Sequence, residues 1–224
     1  MQKKIKNRID AILFDLDGTF VDTSKDMCHV LNVILMENNL EEVNSEDLKY
    51  HISKGAAGII EFGCKNNVDK IKKNQLKEKF LNLYESHVCV HSHLIEGMSE
   101  VIENFEINKI AWGIVTNKHA RFANTILDKL GYLKKLDCLI TGDMVQQSKP
   151  SPDSLILAKT KLNKDFQNII YVGDDRRDIL AGKEAGMITV AADFGFVFNK
   201  SIIPSWEADY IINEPSQLLE IINH

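Results

Sequence analysis

Apolar positions follow three rhythms along this chain. Near the start, Ala11-Ile12-Leu13-Phe14 is a continuous apolar run broken by Asp15-Leu16-Asp17-Gly18-Thr19, the pattern of a buried strand leaving a sheet. From Thr23 to about His87 the spacing is helical. Met27, Val30, Leu31, Ile34 and Leu35 recur near i, i+3, i+4, i+7, with Thr23 placed to cap them. Ser45 with Glu46, Asp47 and Leu48 marks a second helix, Ile59, Ile60 and Phe62 a third, and Leu76, Phe80, Leu83 and Tyr84 a fourth. After Gly97 strands alternate with helices. Strands end near Thr116, Thr141, Asp174 and Ala191, and helices lie near 119–130, 151–162 and 176–185. Gly131 and Gly186 fall where helix C-caps belong, and Tyr210-Ile211-Ile212 precedes a short C-terminal helix. Alternation of this kind predicts a parallel sheet with right-handed crossovers. The expected fold is α/β, a Rossmann-like parallel-sheet core of residues 1–20 and 94–224 with a small helical bundle, residues 21–93, inserted after the first strand.

Composition narrows the field. A chain of 224 residues accommodates one large domain or a domain with a modest insertion, and it buries enough surface to need no disulfide staples. The net charge of −5 argues against nucleic acid as the main partner, because a phosphate backbone demands a basic face. Lys3, Lys4, Lys6 and Arg8 read as a solvated end rather than a binding arm. No apolar run reaches the ~18 residues of a membrane span, and Arg8 and Asp10 interrupt any signal-like stretch. Cys28, Cys64, Cys89 and Cys138 form no CxxC pair, so reduced thiols and a cytoplasmic location are expected. No internal repeat or low-complexity tract is present.

The chemistry concentrates at the predicted strand ends. Asp15 and Asp17 stand i, i+2 on extended chain and so point the same way. Two such charges repel unless a proton or cation separates them, and an oxygen-seeking divalent ion such as Mg²⁺ answers that need. A turn that merely caps a helix is the alternative for this pentapeptide alone. Three further segments join it: Thr116-Asn117-Lys118 after Ile110–Val115, Ser148-Lys149-Pro150-Ser151-Pro152-Asp153, and Gly173-Asp174-Asp175-Arg176-Arg177-Asp178 after Asn168–Val172. Together, and in this order, they resemble the four motifs of the haloacid dehalogenase superfamily, in the phosphatase branch that contains phosphoglycolate phosphatases. The likeness covers nearly the whole chain.

That resemblance implies a reaction and a set of roles. The Asp15 strand is central in the sheet and the inserted bundle is a cap over the active site. Asp15 attacks phosphorus and forms an aspartyl phosphate. Asp17 protonates the leaving oxygen and later takes a proton from water, while its main-chain carbonyl touches the metal. Gly18 and Thr19 turn the backbone so that N–H groups face the phosphoryl oxygens. Thr116 donates its hydroxyl and Asn117 its N–H to the same group, with a plain turn before a helix as the alternative for Thr116. Lys149 orients Asp15 and offsets charge; Lys118 is expected to enter the next helix. Asp174 completes the Mg²⁺ site with Asp15 and Asp17. Asp175 joins it as a ligand, or else holds a metal-bound water or the Lys149 ammonium, and Asp178 orients ligands.

Within the cap, Lys54 of Ser53-Lys54-Gly55 is the candidate contact for an anionic substrate, with a solvated helix-end charge as its alternative. His87, Cys89, His91 and His93 would share one face of a strand and are zinc-ligand types, but a polar hinge fits a return segment better. The expected activity is a Mg²⁺-dependent phosphatase acting on a small phosphorylated metabolite, 2-phosphoglycolate by whole-chain likeness. Trp112–Lys118, Gly173–Asp178, Trp206 and Ala208-Asp209 also resemble N-acetylmuramic acid 6-phosphate phosphatases. A phosphosugar mutase shares the intermediate. A receiver-like signalling domain shares Asp, Thr and Lys, but at half the length and with its acidic pair early. The protein is expected to be a monomer or weak homodimer.

Overall fold

The structure, a computed structural model, describes residues 8–65 and 67–222; Lys3, Lys4 and Lys6 lie outside them. The chain divides into two compact units, one spanning Asp22–His93 and the other formed by the segments on either side. The larger unit is a six-stranded parallel sheet. Its strands are β1 (Ala11–Phe14), β4 (Ala111–Val115), β5 (Cys138–Ile140), β6 (Ile169–Gly173), β7 (Ile188–Ala192) and β8 (Tyr210–Ile212), in the order β5-β4-β1-β6-β7-β8. β1 lies inside the sheet, pairing with β4 through Ala11↔Ala111 to Phe14↔Ile114 and with β6 through Ala11↔Ile169 to Phe14↔Val172. Every residue of β1 and β6 is buried. That explains their unbroken apolar runs, since a parallel strand covered on both faces shows no alternation.

The crossovers are α5 (Met98–Asn108), α6 (Ala120–Lys129), α7 (Asp153–Asn163) and α8 (Arg176–Glu184), with α9 (Gln217–Ile222) at the end. Gly131 and Gly186 sit just past α6 and α8 with φ of 79° and 71°, the left-handed conformation that closes a helix at little cost to glycine. Helix α5 was not separately resolved by the apolar pattern. Its buried stripe of Met98, Val101, Ile102 and Phe105 follows Gly97 without a preceding apolar strand to frame it.

The smaller unit holds four helices, α1 (Ser24–Glu37), α2 (Ser45–Ile52), α3 (Gly55–Cys64) and α4 (Lys70–His87). Leu31, Ile34 and Leu35 of α1, Leu48 of α2, Ile59 and Ile60 of α3 and Phe80 and Tyr84 of α4 are buried. Two helix starts differ from expectation. Thr23 occupies the cap position of α1 without a side-chain capping bond; Asp22 Oδ1 instead accepts from Ser24 N and Oγ at 2.9 and 2.6 Å. At α2 the cap is Asn44, whose Oδ1 accepts from Asp47 N at 2.7 Å, with Ser45 already helical. An aspartate or asparagine carbonyl one residue earlier reaches the orphan N–H groups as well as a hydroxyl does.

The His87–His93 segment is not a strand. His87 ends α4, Cys89 takes φ 58°, and only His93 enters the two-residue β3 (His93–Leu94), which forms a two-stranded sheet with β2 (Val21–Asp22). The loop instead wraps a buried carboxylate of α1. Asp26 accepts from Val90 N, His91 N and Ser92 N at 3.1, 2.7 and 3.0 Å and from Ser92 Oγ at 2.5 Å. Backbone turned inward to serve Asp26 cannot also present four side chains on one face.

Candidate active site

The site assembles where β1, β4 and β6 end. Hydrogen bonding carries β1 one residue further, with Asp15 N donating to Val172 O at 2.9 Å. The chain then folds tightly: Gly18 N donates to Val21 O, and Phe20 N to Leu16 O. Gly18 has φ 86°, and a Cβ there would run into Asp174 Oδ2 and the Phe196 ring. Glycine is therefore required both for the bend and for the approach of the β6 carboxylate. The Gly18 N–H is consumed by closing this turn, so it does not face outward as the motif suggested.

Asp174 follows β6 and is buried. Its Oδ1 accepts from Thr19 Oγ1 at 2.9 Å and its Oδ2 from Phe196 N at 2.7 Å. Thr19 thus acts through its side chain on Asp174. The Phe196 amide comes from the loop after β7, where a Cβ on Gly195 would strike Asp174. One carboxylate oxygen each of Asp15, Asp174 and Asp178 lies within 4.8 Å of the others, and these three are the acidic group among the described residues that could hold a metal ion.

Asp175 turns elsewhere. It caps α8, with Oδ1 accepting from Arg177 N and Nε at 2.9 Å each and Oδ2 from Arg177 Nη2 at 3.2 Å. Asp178 closes the reciprocal half of this capping box by accepting from Asp175 N at 3.0 Å, and its other oxygen faces the cluster. The i, i+3 spacing of two acids at a helix start was the available signal: the first turns both oxygens to Arg177, and the second gives one oxygen to the helix start and one to the cluster.

Lys149 supplies the cation that faces Asp15 and Asp178. Its buried ammonium lies 2.9 Å from Asp15 Oδ1, 2.7 Å from Asp178 Oδ1, 3.1 Å from Val115 O and 2.6 Å from Tyr171 Oη. Asn117 fixes the loop that carries it, with Nδ2 donating to Lys149 O and Oδ1 accepting from Lys149 N, both at 3.0 Å. Thr116 is buried, and its Oγ1 accepts from Lys118 N at 3.1 Å. Lys118 precedes the helix instead of entering it, because His119 is the cap of α6. Its Nζ reaches Asp17 at 2.9 and 3.2 Å. Lys54 stands at the cap position of α3 in the helical unit and is exposed.

Burial and like charge dominate the electrostatics. Burial, opposed by Lys149 and reinforced by Asp178, pushes the Asp15 carboxyl up to about 6. Burial with Asp15 and Asp178 nearby raises Asp174 well above its ordinary value. Burial alone would depress the Lys149 ammonium, but Asp15 and Asp178 outweigh it and hold the proton on. At Asp175, burial is overcome by the Arg177 hydrogen bonds and the carboxyl is lowered. The neighbouring acids Asp174 and Asp175 are thus perturbed in opposite senses, the first raised among like charges and the second lowered by its arginine.

Residues 12–192 match the model of the haloacid dehalogenase-like hydrolases. The chain is 36% identical over 216 residues to an N-acetylmuramic acid 6-phosphate phosphatase from Pseudomonas putida, covering 96% of this chain and 97% of that protein. It is 35% identical over 210 residues to a phosphoglycolate phosphatase from Xanthomonas campestris pv. campestris, covering 94% and 95%. The crystal structure of a predicted phosphoglycolate phosphatase from Haemophilus somnus superimposes with a TM-score of 0.83 at 25% identity, covering 96% of this chain and 99% of that one. The chain belongs to the haloacid dehalogenase-like hydrolases, and it is a phosphatase of that family.

Proposed function

We propose that this hydrolase is a Mg²⁺-dependent phosphatase that cleaves a small, carboxylate-bearing phosphomonoester through an aspartyl phosphate on Asp15. The observation carrying the reading is the Lys149 ammonium seated between Asp15 and Asp178 at the end of the central strand. Asp15, Asp174 and Asp178 lie together, and Lys149 meets two of them, Asp15 and Asp178, so negative charge is left to be balanced, and an all-oxygen donor set suits Mg²⁺. Asp15, Asp174 and the main-chain carbonyl of Asp17 would hold the ion, with Asp178 as the further carboxylate and Asp175 left to Arg177. Bound there, Mg²⁺ supplies the positive charge that lets a phosphate dianion approach a carboxylate.

The chain's own residues perform the steps. Lys149 aims one Asp15 oxygen and leaves the other free to attack phosphorus. Asp17 gives its proton to the departing oxygen; with the phosphoryl group on Asp15, it takes a proton from the water that attacks phosphorus and frees Asp15. Lys118 steadies Asp17 between these tasks. The Thr116 hydroxyl and Asn117 N–H hold phosphoryl oxygens. Gly18 and Thr19 contribute by shaping the turn and orienting Asp174.

The substrate named for the Xanthomonas relative, phosphoglycolate, and that named for the Pseudomonas relative, N-acetylmuramic acid 6-phosphate, share a carboxylate beside the phosphomonoester. We take 2-phosphoglycolate as the first reading. N-acetylmuramic acid 6-phosphate is the second, favoured by the 36% identity of the Pseudomonas protein. Lys54 is the proposed partner of the carboxylate. The test is a kinetic comparison of both compounds with N-acetylglucosamine 6-phosphate, which lacks the lactyl carboxylate. At least tenfold higher kcat/KM for one of the acids is expected; equal values for all three would refute the carboxylate requirement.

A further inference from the structure

We infer that Tyr171 is a positioning residue for the reaction: its hydroxyl oxygen holds the Lys149 ammonium in line with Asp15. The inference rests on the reading of Asp15 as nucleophile and deepens it. Tyr171 lies in the middle of β6 with its side chain fully buried, and its Oη has three partners. It accepts from Lys149 Nζ at 2.6 Å, donates to Val115 O at 2.9 Å, and lies 3.2 Å from Asp178 Oδ1. Thus β4 and β6, the two strands flanking β1, each offer an acceptor to the same ammonium, Val115 O from one and Tyr171 Oη from the other.

The geometry matters because a lysine is a point charge on a flexible four-carbon stem with three rotatable donors. Two carboxylates compete for those donors, and Asp178 is the nearer of them at 2.7 Å against 2.9 Å for Asp15. Of its two neutral acceptors Tyr171 Oη is the nearer, 2.6 Å against 3.1 Å for Val115 O; without it the ammonium is held less firmly and can shift toward Asp178, away from the nucleophile. A phenol suits this place. It adds an acceptor without adding a fourth carboxylate. Its ring meanwhile belongs to the apolar core with Leu13, Val115 and Leu155, so phenylalanine would fill the same space.

The experiment compares wild type, Tyr171→Phe, Lys149→Met and the double variant on p-nitrophenyl phosphate with Mg²⁺, at high enzyme concentration. Tyr171→Phe should lower kcat about 5- to 20-fold with KM within about twofold and the melting temperature within a few degrees. In the Lys149→Met background the same change should alter kcat less than about twofold, because the group it positions is gone. An unchanged kcat in Tyr171→Phe, or an undiminished effect in the double variant, overturns the inference. Should Tyr171→Phe not be recovered folded, 3-fluorotyrosine placed at 171 weakens the acceptor and keeps the shape; a lower kcat supports the inference and an unchanged one overturns it. Wild type without Mg²⁺-dependent turnover would instead refute the proposed function, which separates the two failures.

Discussion

Asp26 in the helical unit and Asp174 in the sheet unit are both buried carboxylates, 1% and 4% exposed, yet they are built for opposite ends. Asp26 accepts four hydrogen bonds from the neutral donors of Val90, His91 and Ser92. Its charge is dispersed over a closed turn, and its environment asks for nothing more. Asp174 accepts two, from Thr19 and Phe196, and then faces Asp15 and Asp178. Burial is therefore not what marks a reactive acid. The surrounding charge is: neutral donors make a structural knot, whereas like charges make a site that gains by admitting a cation.

The largest effect should come from changing the cluster itself. Asp15→Asn removes the attacking oxygen while keeping the shape, so kcat on p-nitrophenyl phosphate should fall by at least about 10³-fold. Because one of three repelling charges also goes, the melting temperature should hold or rise. A variant retaining more than a few per cent of wild-type kcat would show that Asp15 is not the nucleophile and would remove one side of the contrast.

Metal removal comes next. EDTA should abolish turnover, and restoring Mg²⁺ at 100 times its Kd should add about 2.7 kcal/mol, some 5–10 °C for a chain of this size. The sign of the pH dependence follows from Asp15. Its carboxyl is raised from 3.8 to about 6, so between these values the metal-free folded protein carries a proton that the unfolded chain has lost. Stability of the metal-free protein should then fall as pH rises through that window. Mg²⁺ requires the ionised acid, so its stabilising shift should be larger near about pH 7.5 than near about pH 5. Differential scanning fluorimetry at both values, with EDTA or Mg²⁺, reads this directly; an equal shift would mean the acids do not hold the ion.

Asp26 should behave in the reverse manner. Asp26→Asn replaces one acceptor oxygen with an NH₂ aimed at N–H donors, leaving buried donors unpaired at a cost of about 1–3 kcal/mol. Urea unfolding should show that loss, while kcat per folded molecule stays within about twofold. A large kcat change with intact stability would make Asp26 part of the chemistry and dissolve the comparison.

The same contrast explains what the chain made legible. Fully apolar strands and the 3.6-residue stripes announced the α/β unit and its helical insertion, because burial on two faces or one writes itself into side-chain type. Asp15, Asp174 and Lys149 stood out because their neighbours in sequence, glycine, strand end and proline, constrain the backbone. The structure brings these three together. The partition between Asp175 and Asp178 was harder, since both are acids in one helical turn and the choice depends on which one captures Arg177. Lys118 was hidden by the uncertain start of α6, which begins at Ala120 after His119. Tyr171 sits in a strand buried on both faces, where alternation gives no hint of direction. The Phe196 amide could not be seen at all: a main-chain donor from a distant loop has no side-chain signature.

The smallest effect tests the helical unit by its exposed charge instead of its buried one. Lys54 is exposed at the start of α3, and a Cβ at Gly58 would press on its stem. If Lys54 meets the substrate carboxylate, its contribution is a screened ion pair that acts on binding more than on the chemical step. Lys54→Ala should raise KM for 2-phosphoglycolate or N-acetylmuramic acid 6-phosphate about 3- to 10-fold, leave kcat within about twofold, and change KM for p-nitrophenyl phosphate by less than about twofold. Lys54→Arg should restore most of the loss, since charge rather than a particular donor geometry is at issue. Equal changes with all substrates, or none with any, would return Lys54 to the solvated surface.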